Sequence, residues 1–238
     1  MLAHRVMMVG RRAYADEVIA DSPVAYWKLD ETSGTTTNDA IGSNHGTYTG
    51  GYTLNQAGIP STGRPSVALN GSSGYINCGA PAALNLTAAW TLEAWVYLTS
   101  APNGSAVISE LYTGAGDQVL YALGFGGMVV GGTSQLQVGF YTGSTWRYIQ
   151  GAALSLNTWH HIAGTWDGTN LRLYADGAQV ASGTPASGPV AGMNGLVLGR
   201  RWDTAGSAPY LPGRLDEVAI YDAALSATRI LAHYNAGI

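Results

Sequence analysis

Charge is scarce in this sequence. Asp, Glu, Lys and Arg make up 11% of its 238 residues, less than half the share of about 25% usual in soluble domains. Solubility must therefore come from Gly, Ser, Thr and Asn, which points to a turn-rich β exterior of the extracellular or virion kind and away from a cytosolic helical enzyme. Lysine is nearly missing: Lys28 stands alone among 11 basic residues, and the net charge is −4. No basic stripe runs along the chain, which excludes the electrostatic footprint of a nucleic-acid binder. Cys78 is the single cysteine, so no intramolecular disulfide forms, and a small buried residue is expected there. Long apolar runs are missing too, so no membrane insertion is expected. The opening MLAHRVMMVGRR is broken by His4 and Arg5 and runs on into the acidic AYADEV, which fits neither a standard nor a twin-arginine signal peptide.

What is there is alternation. From Pro23 onward, short apolar-alternating runs are separated by Gly, Asn, Ser and Asp clusters, the pattern of strands joined by turns. About a dozen such runs, from VAYWKL through TLEAWVYL to RLDEVAIY, have the spacing of a sandwich or jelly roll. The expected fold class is all-β, an antiparallel β-sandwich occupying residues 23–238 as one domain. Residues 1–22 are expected to form an N-terminal arm, with a short helix over Tyr14 to Ala20 ended by Asp21-Ser22-Pro23. A short C-terminal helix begins after Ser226, a good N-cap, with Ala227, Ile230, Leu231 and Tyr234 on its buried face and Gly237 at its end.

Residues 157–183, NTWHHIAGTWDGTNLRLYADGAQVASG, put two histidines beside two aspartates. In a strand, neighbouring side chains point to opposite faces. His161, Ala163 and Thr165 then share one face, and His160, Ile162 and Trp166 the other, so the histidines do not converge on one proton or metal. Asp167-Gly168 and Asp176-Gly177 read as hairpin turns, with each Asp serving its own backbone. The stretch is read as sheet punctuation. Nucleophilic chemistry has little support: no Gly-x-Ser-x-Gly elbow is present, Cys78 has no His nearby, and no Gly-rich loop opens onto a helix to cradle phosphate. No catalytic residue is assigned.

Aromatic residues are biased toward those with a polar handle, seven Trp and 14 Tyr against two Phe. Trp27, Trp95, Trp159 and Trp166 lie inside strands and are expected in the core. Trp146, Trp202 and Tyr210 lie in or beside the Gly/Ser-rich segments YTGSTW and RRWDTAGSAPYLPG, where binding residues tend to be. With Arg200, Arg201 and Asp203 supplying hydrogen bonds, they form the candidate ligand-binding set.

The 157–183 stretch resembles the hairpins of laminin-G-like, concanavalin A-like jelly-roll domains. SPVAYWKLDETSG with DAIGSNHGTY resembles the family's opening, TLEAWVYL its central strand, and GRLDEVAIYDAALSATRILAHYN its closing strand and helix. The resemblance covers residues from about 23 to 238. It implies the jelly-roll fold, and functions as varied as adhesion, carbohydrate binding and scaffolding. It also implies one structural Ca²⁺, with Asp216, the neighbourhood of Asp30, and Gly71 at the matching positions. Glucanases of this fold need two carboxylates on one face. Here TLEAWVYL offers only Glu93, Glu110 is isolated, and the adjacent acids Asp30-Glu31 and Asp216-Glu217 are expected on opposite faces. The expectation is therefore a non-enzymatic interaction module. YADEVIADSPVAYWKLDE resembles the openings of such domains in bacteriophage tail proteins, which suggests a virion component (tail, fibre or capsid decoration) on a virion or extracellular surface. Its partners would be other virion proteins or copies of itself through residues 1–22, and a host-surface glycan. A lectin-like carbohydrate-binding module is the alternative, and a glucanase-like hydrolase the third reading.

Overall fold

Apolar residues at every second position give each strand one wet and one dry face, and two sheets close over the dry faces. The structure, a computed structural model, describes residues 12–102, 104–112, 119–126, 134–201 and 209–238. Helix α1 (Tyr14–Ala20) leads into strands β1 (Ala25–Trp27), β2 (Thr36–Thr37), β3 (Gly46–Thr49), β4 (Tyr52–Ala57), β5 (Pro65–Asn70) and β6 (Tyr75–Asn77). A 3-10 turn at Ala82–Leu84 precedes β7 (Trp90–Leu98), β8 (Ala106–Tyr112), β9 (Val119–Phe125), β10 (Gln135–Tyr141) and β11 (Trp146–Ala153). Then come β12 (Trp159–Trp166), β13 (Leu171–Ala175), β14 (Ala178–Gly183), β15 (Met193–Leu198), β16 (Pro212–Tyr221) and helix α2 (Ala227–Gly237).

The first sheet runs β14-β13-β12-β7-β16-β5-β4, with β1 also paired to β16; the second runs β11-β10-β9-β8-β15-β6-β3-β2. All pairings are antiparallel. The core between them holds Trp27, Trp90, Leu92, Val96, Phe125, Val138, Phe140, Ile162 and Trp166, and Cys78 is buried with them. Hairpins join β12 to β13 and β13 to β14. The second turns on Asp176 at φ 51 and Gly177 at φ 76, both left-handed as a two-residue turn of this hand demands.

Both helices lie on the outer face of the first sheet. Tyr14, Ala15 and Val18 of α1 and Ala236 of α2 pack with Tyr26, Trp95, Ala219 and Tyr221. Ile230 packs on Ala163 and Tyr174. The segment from Tyr14 onward is thus engaged by its own domain. The α2 face differs from the one read by hydrophobicity. Ile230, His233, Ala236 and Gly237 are the buried positions, while Leu231 is 45% exposed. The face rotates because a buried carboxylate on the sheet takes His233 as its partner. No helix among the described residues is long and apolar enough to cross a membrane.

Candidate functional site

A layer of buried polar groups lies where the helices meet the first sheet. Glu93 on β7 is fully buried. Its Oε2 lies 2.8 Å from Nδ1 of His233 on α2 and 3.6 Å from Nε2 of His161 on β12. Its Oε1 accepts from the Tyr14 hydroxyl on α1 at 3.0 Å. His233 Nε2 lies 2.9 Å from Asp21 Oδ2, and Arg229 reaches Asp21 at 2.7 Å and Glu17 at 2.6 Å. Burial by itself would raise the Glu93 carboxyl, but the His233 charge and hydrogen bond, with the His161 ring close by, outweigh it and hold Glu93 well below the usual carboxylate range. Burial opposes the His233 charge, yet Glu93 and Asp21 raise its pKa above the ordinary histidine value. A cation held between two carboxylates ties α1 to α2 and both to the sheet. Sequence reading left Glu93 alone on its strand because its main partner lies 140 residues away.

Asp216 and Glu217 were expected on opposite faces of β16, and the structure corrects this. The register with β7 shifts between Asp216 and Ala219, and Glu217 adopts φ 51. This bulge turns both acids toward the helices, because an extra residue breaks the two-residue period. Asp216 Oδ2 accepts from the Ile59 amide at 2.9 Å, and Glu217 Oε2 accepts from the Tyr26 hydroxyl. Asp216 Oδ1 and Glu217 Oε1 are buried without a hydrogen-bond partner. Burial first, and the neighbouring Glu217 next, push the Asp216 carboxyl well up. Burial likewise pushes Glu217 up, to about 7. Glu217 also lines a small cavity of about 70 Å³ with Tyr14, Ser61, Thr62 and Arg64.

Of the three positions that the resemblance offers for calcium, Asp30 lies near enough to Asp216 for their charges to act on each other, and Gly71 lies farther along, beside the start of β16. Asp30 pairs with Arg64 at 3.6 Å on the surface. Gly71 meets Pro212, four residues before Asp216, which is about 13 Å of strand. No group of three or more His, Cys, Asp or Glu side chains able to hold a metal ion occurs among the described residues.

The candidate ligand residues fall in two separate places along the second sheet, beside β15 and β6 and at the β11 edge. The Arg200 guanidinium lies 4.5 Å from the Tyr75 ring centre and 5.6 Å from that of Tyr210, and Arg200 and Tyr210 form an isolated antiparallel bridge. Arg201 joins them through its amide, which donates to Pro209 O at 3.2 Å. Trp202 and Asp203 lie outside the described residues. Trp146 opens β11, four strands from β15, or about 19 Å at the usual spacing, so it is not part of the Arg200 cluster. Tyr75 is a member that sequence reading missed.

Around Trp146 the outer face forms a stripe. Leu136, Val138 and Phe140 of β10 face the core and Ile149 of β11 packs against it, so Gln137, Gly139 and Tyr141 of β10 and Trp146, Tyr148 and Gln150 of β11 point outward. A Cβ on Gly139 would collide with Arg147 O and sit 2.8 Å from Tyr148 Cβ and 2.9 Å from Trp146 Cζ2, so only glycine fits against β11 there. Tyr148 is 37% exposed. The Trp146 indole N–H and Gln137 Oε1 are buried without partners, while Gln137 donates to Gln150 at 3.1 Å. The arrangement offers an aromatic surface flanked by one unsatisfied donor and one unsatisfied acceptor.

Residues 70–231 match a laminin G family model described as the concanavalin A-like lectin/glucanases superfamily. The chain belongs to this superfamily. No curated protein matches it. Among solved structures, domain 4 of AbnA, an extracellular GH43 arabinanase from Geobacillus stearothermophilus in complex with arabinotriose, is 18% identical with a TM-score of 0.67, over 89% of this chain and 98% of that one. Trypanosoma rangeli sialidase in complex with sialic acid is 17% identical with a TM-score of 0.61, over 88% of this chain but 32% of the sialidase. The binding domain of Paraclostridial Mosquitocidal Protein 1 is 14% identical with a TM-score of 0.59, over 90% of this chain and 52% of that one. At these identities the likeness is one of fold. The expectation of a non-enzymatic module is corrected here, because the superfamily fold recurs in proteins named as an arabinanase and as sialidases.

Proposed function

We propose that this superfamily domain binds carbohydrate along β11, on the outer face of the second sheet. The observation that carries the reading is the Trp146–Tyr148–Gln150 stripe beside Gly139 and Gln137. Aromatic rings take the apolar face of a sugar while an exposed amide such as that of Gln150 meets its hydroxyls. The neighbour in complex with arabinotriose supports an oligosaccharide as the ligand class. The first sheet offers no equivalent surface where α1 and α2 cover it.

The test is an oligosaccharide array that includes arabinotriose, cello-oligosaccharides and sialylated glycans, read with the wild-type chain and with Trp146→Ala and Tyr148→Ala. Binding to at least one class is expected, weakened about tenfold or more by either substitution, which corresponds to about 1.4 kcal/mol. Binding that survives both substitutions, or a wild-type chain that binds nothing on the array, overturns the reading.

A further inference from the structure

His160 is turned away from the buried His161–His233 cluster and has partners of its own. Its Nδ1 lies 2.7 Å from Asp176 Oδ2, and its Nε2 lies 2.8 Å from the Ser155 hydroxyl. The His161 amide donates to Asp176 Oδ1 at 3.0 Å, and the Asp176 amide donates to the His161 carbonyl at 2.8 Å. The carboxylate is thereby fixed on both oxygens. With Nδ1–H donating to Asp176, the lone pair at Nε2 faces Ser155 and accepts its proton. Ser155 is exposed, whereas the His160 side chain is 12% exposed. The turn at Asp176-Gly177 is already held by the His161 backbone, so the contact with Ser155 is not needed to form it. A nucleophile facing water, a base behind it and a carboxylate orienting the base stand in one hydrogen-bonded series.

We infer that Ser155 and His160, with Asp176 as the positioning residue, form a site that cleaves acyl esters. Ser155 Oγ attacks the acyl carbon as its proton passes to His160 Nε2. The bond to the alcohol oxygen breaks, and the alcohol leaves with that proton. Water then attacks the acyl-serine, its proton going to His160 and its hydroxyl to the acyl carbon, and Ser155 regains its proton. The sum is ester plus water to acid plus alcohol. Ser155 lies five residues beyond Gln150 on the chain that carries the aromatic stripe, within about 17 Å. An acylated sugar chain is accordingly the substrate class, a clause that rests on the carbohydrate reading above.

The experiment needs no glycan. The full chain is incubated with p-nitrophenyl acetate, and separately with a fluorophosphonate probe followed by peptide mass mapping. A burst of p-nitrophenolate and labelling of Ser155 are expected. Ser155→Ala, at an exposed position that folding does not need, abolishes both and lowers the rate about 100-fold or more. Asp176→Asn lowers kcat and leaves KM unchanged, which a purely structural loss would not do. An unlabelled Ser155, or equal rates for wild type and Ser155→Ala, overturns the inference and leaves the carbohydrate reading intact. Labelling at Ser155 in a chain that binds no glycan supports the ester chemistry and removes only the sugar from the substrate.

Discussion

Glu217→Gln isolates the consequence of placing two acids in one bulge. The Glu217 carboxyl is pushed from an ordinary 4.5 up to about 7, by burial first, with Asp30 adding to it and Tyr26, Arg64 and Lys28 pulling the other way. The group is 1% exposed, so solvent screens it little. A carboxyl that binds its proton more tightly in the fold than in the unfolded chain contributes stability that is fully present below about 4.5 and lost as pH rises through about 7. At about 1.4 kcal/mol per pKa unit the whole effect is about 3 kcal/mol, most of which disappears between about pH 5 and pH 8. Glutamine keeps the shape and an acceptor for the Tyr26 hydroxyl but does not titrate. Urea denaturation of both proteins at the two pH values should show the wild type losing roughly 2 to 3 kcal/mol relative to the variant. Parallel pH dependence in the two proteins would refute the reasoning, since Glu217 would then ionise as freely in the fold as outside it.

Two further outcomes follow from the buried layer. His233→Ala leaves Glu93 charged and short of its main partner, and should destabilise the domain by about 3 kcal/mol or more in chemical denaturation. Deleting residues 1–22, assigned from sequence to docking on a neighbour, removes the Tyr14, Glu17 and Asp21 contacts. The truncated chain should melt well below the full one, and an unchanged melting temperature would show that α1 adds nothing to the domain.

Strand existence and face were legible from residues alone wherever apolar alternation was strong. TLEAWVYL and WHHIAGTW sit in the sheets as read, with Ile162 and Trp166 inward and His161 outward. The strands that went unread are polar ones at or near sheet edges. YTLNQA of β4 alternates between exposed and half-buried, so it carries no apolar signal that marks a strand, while AQVASG of β14, with no buried residue, was legible only through the Asp176-Gly177 turn before it. Histidine on α2 reads as an outward residue for the same reason, which is why the helix face was misjudged.

By itself the sequence determined the fold class, the hairpin turns and the inward set of side chains, because these depend on local period and on residues that tolerate a left-handed backbone. Tertiary structure alone decided which ionisable groups meet. Glu93 finds His233, Asp216 joins Glu217 through a one-residue bulge, and Ser155 meets His160, which holds Asp176. Charge and hydrogen bonding act through space, and a bulge, a loop or a partner 140 residues away sets them without leaving a local pattern in the chain.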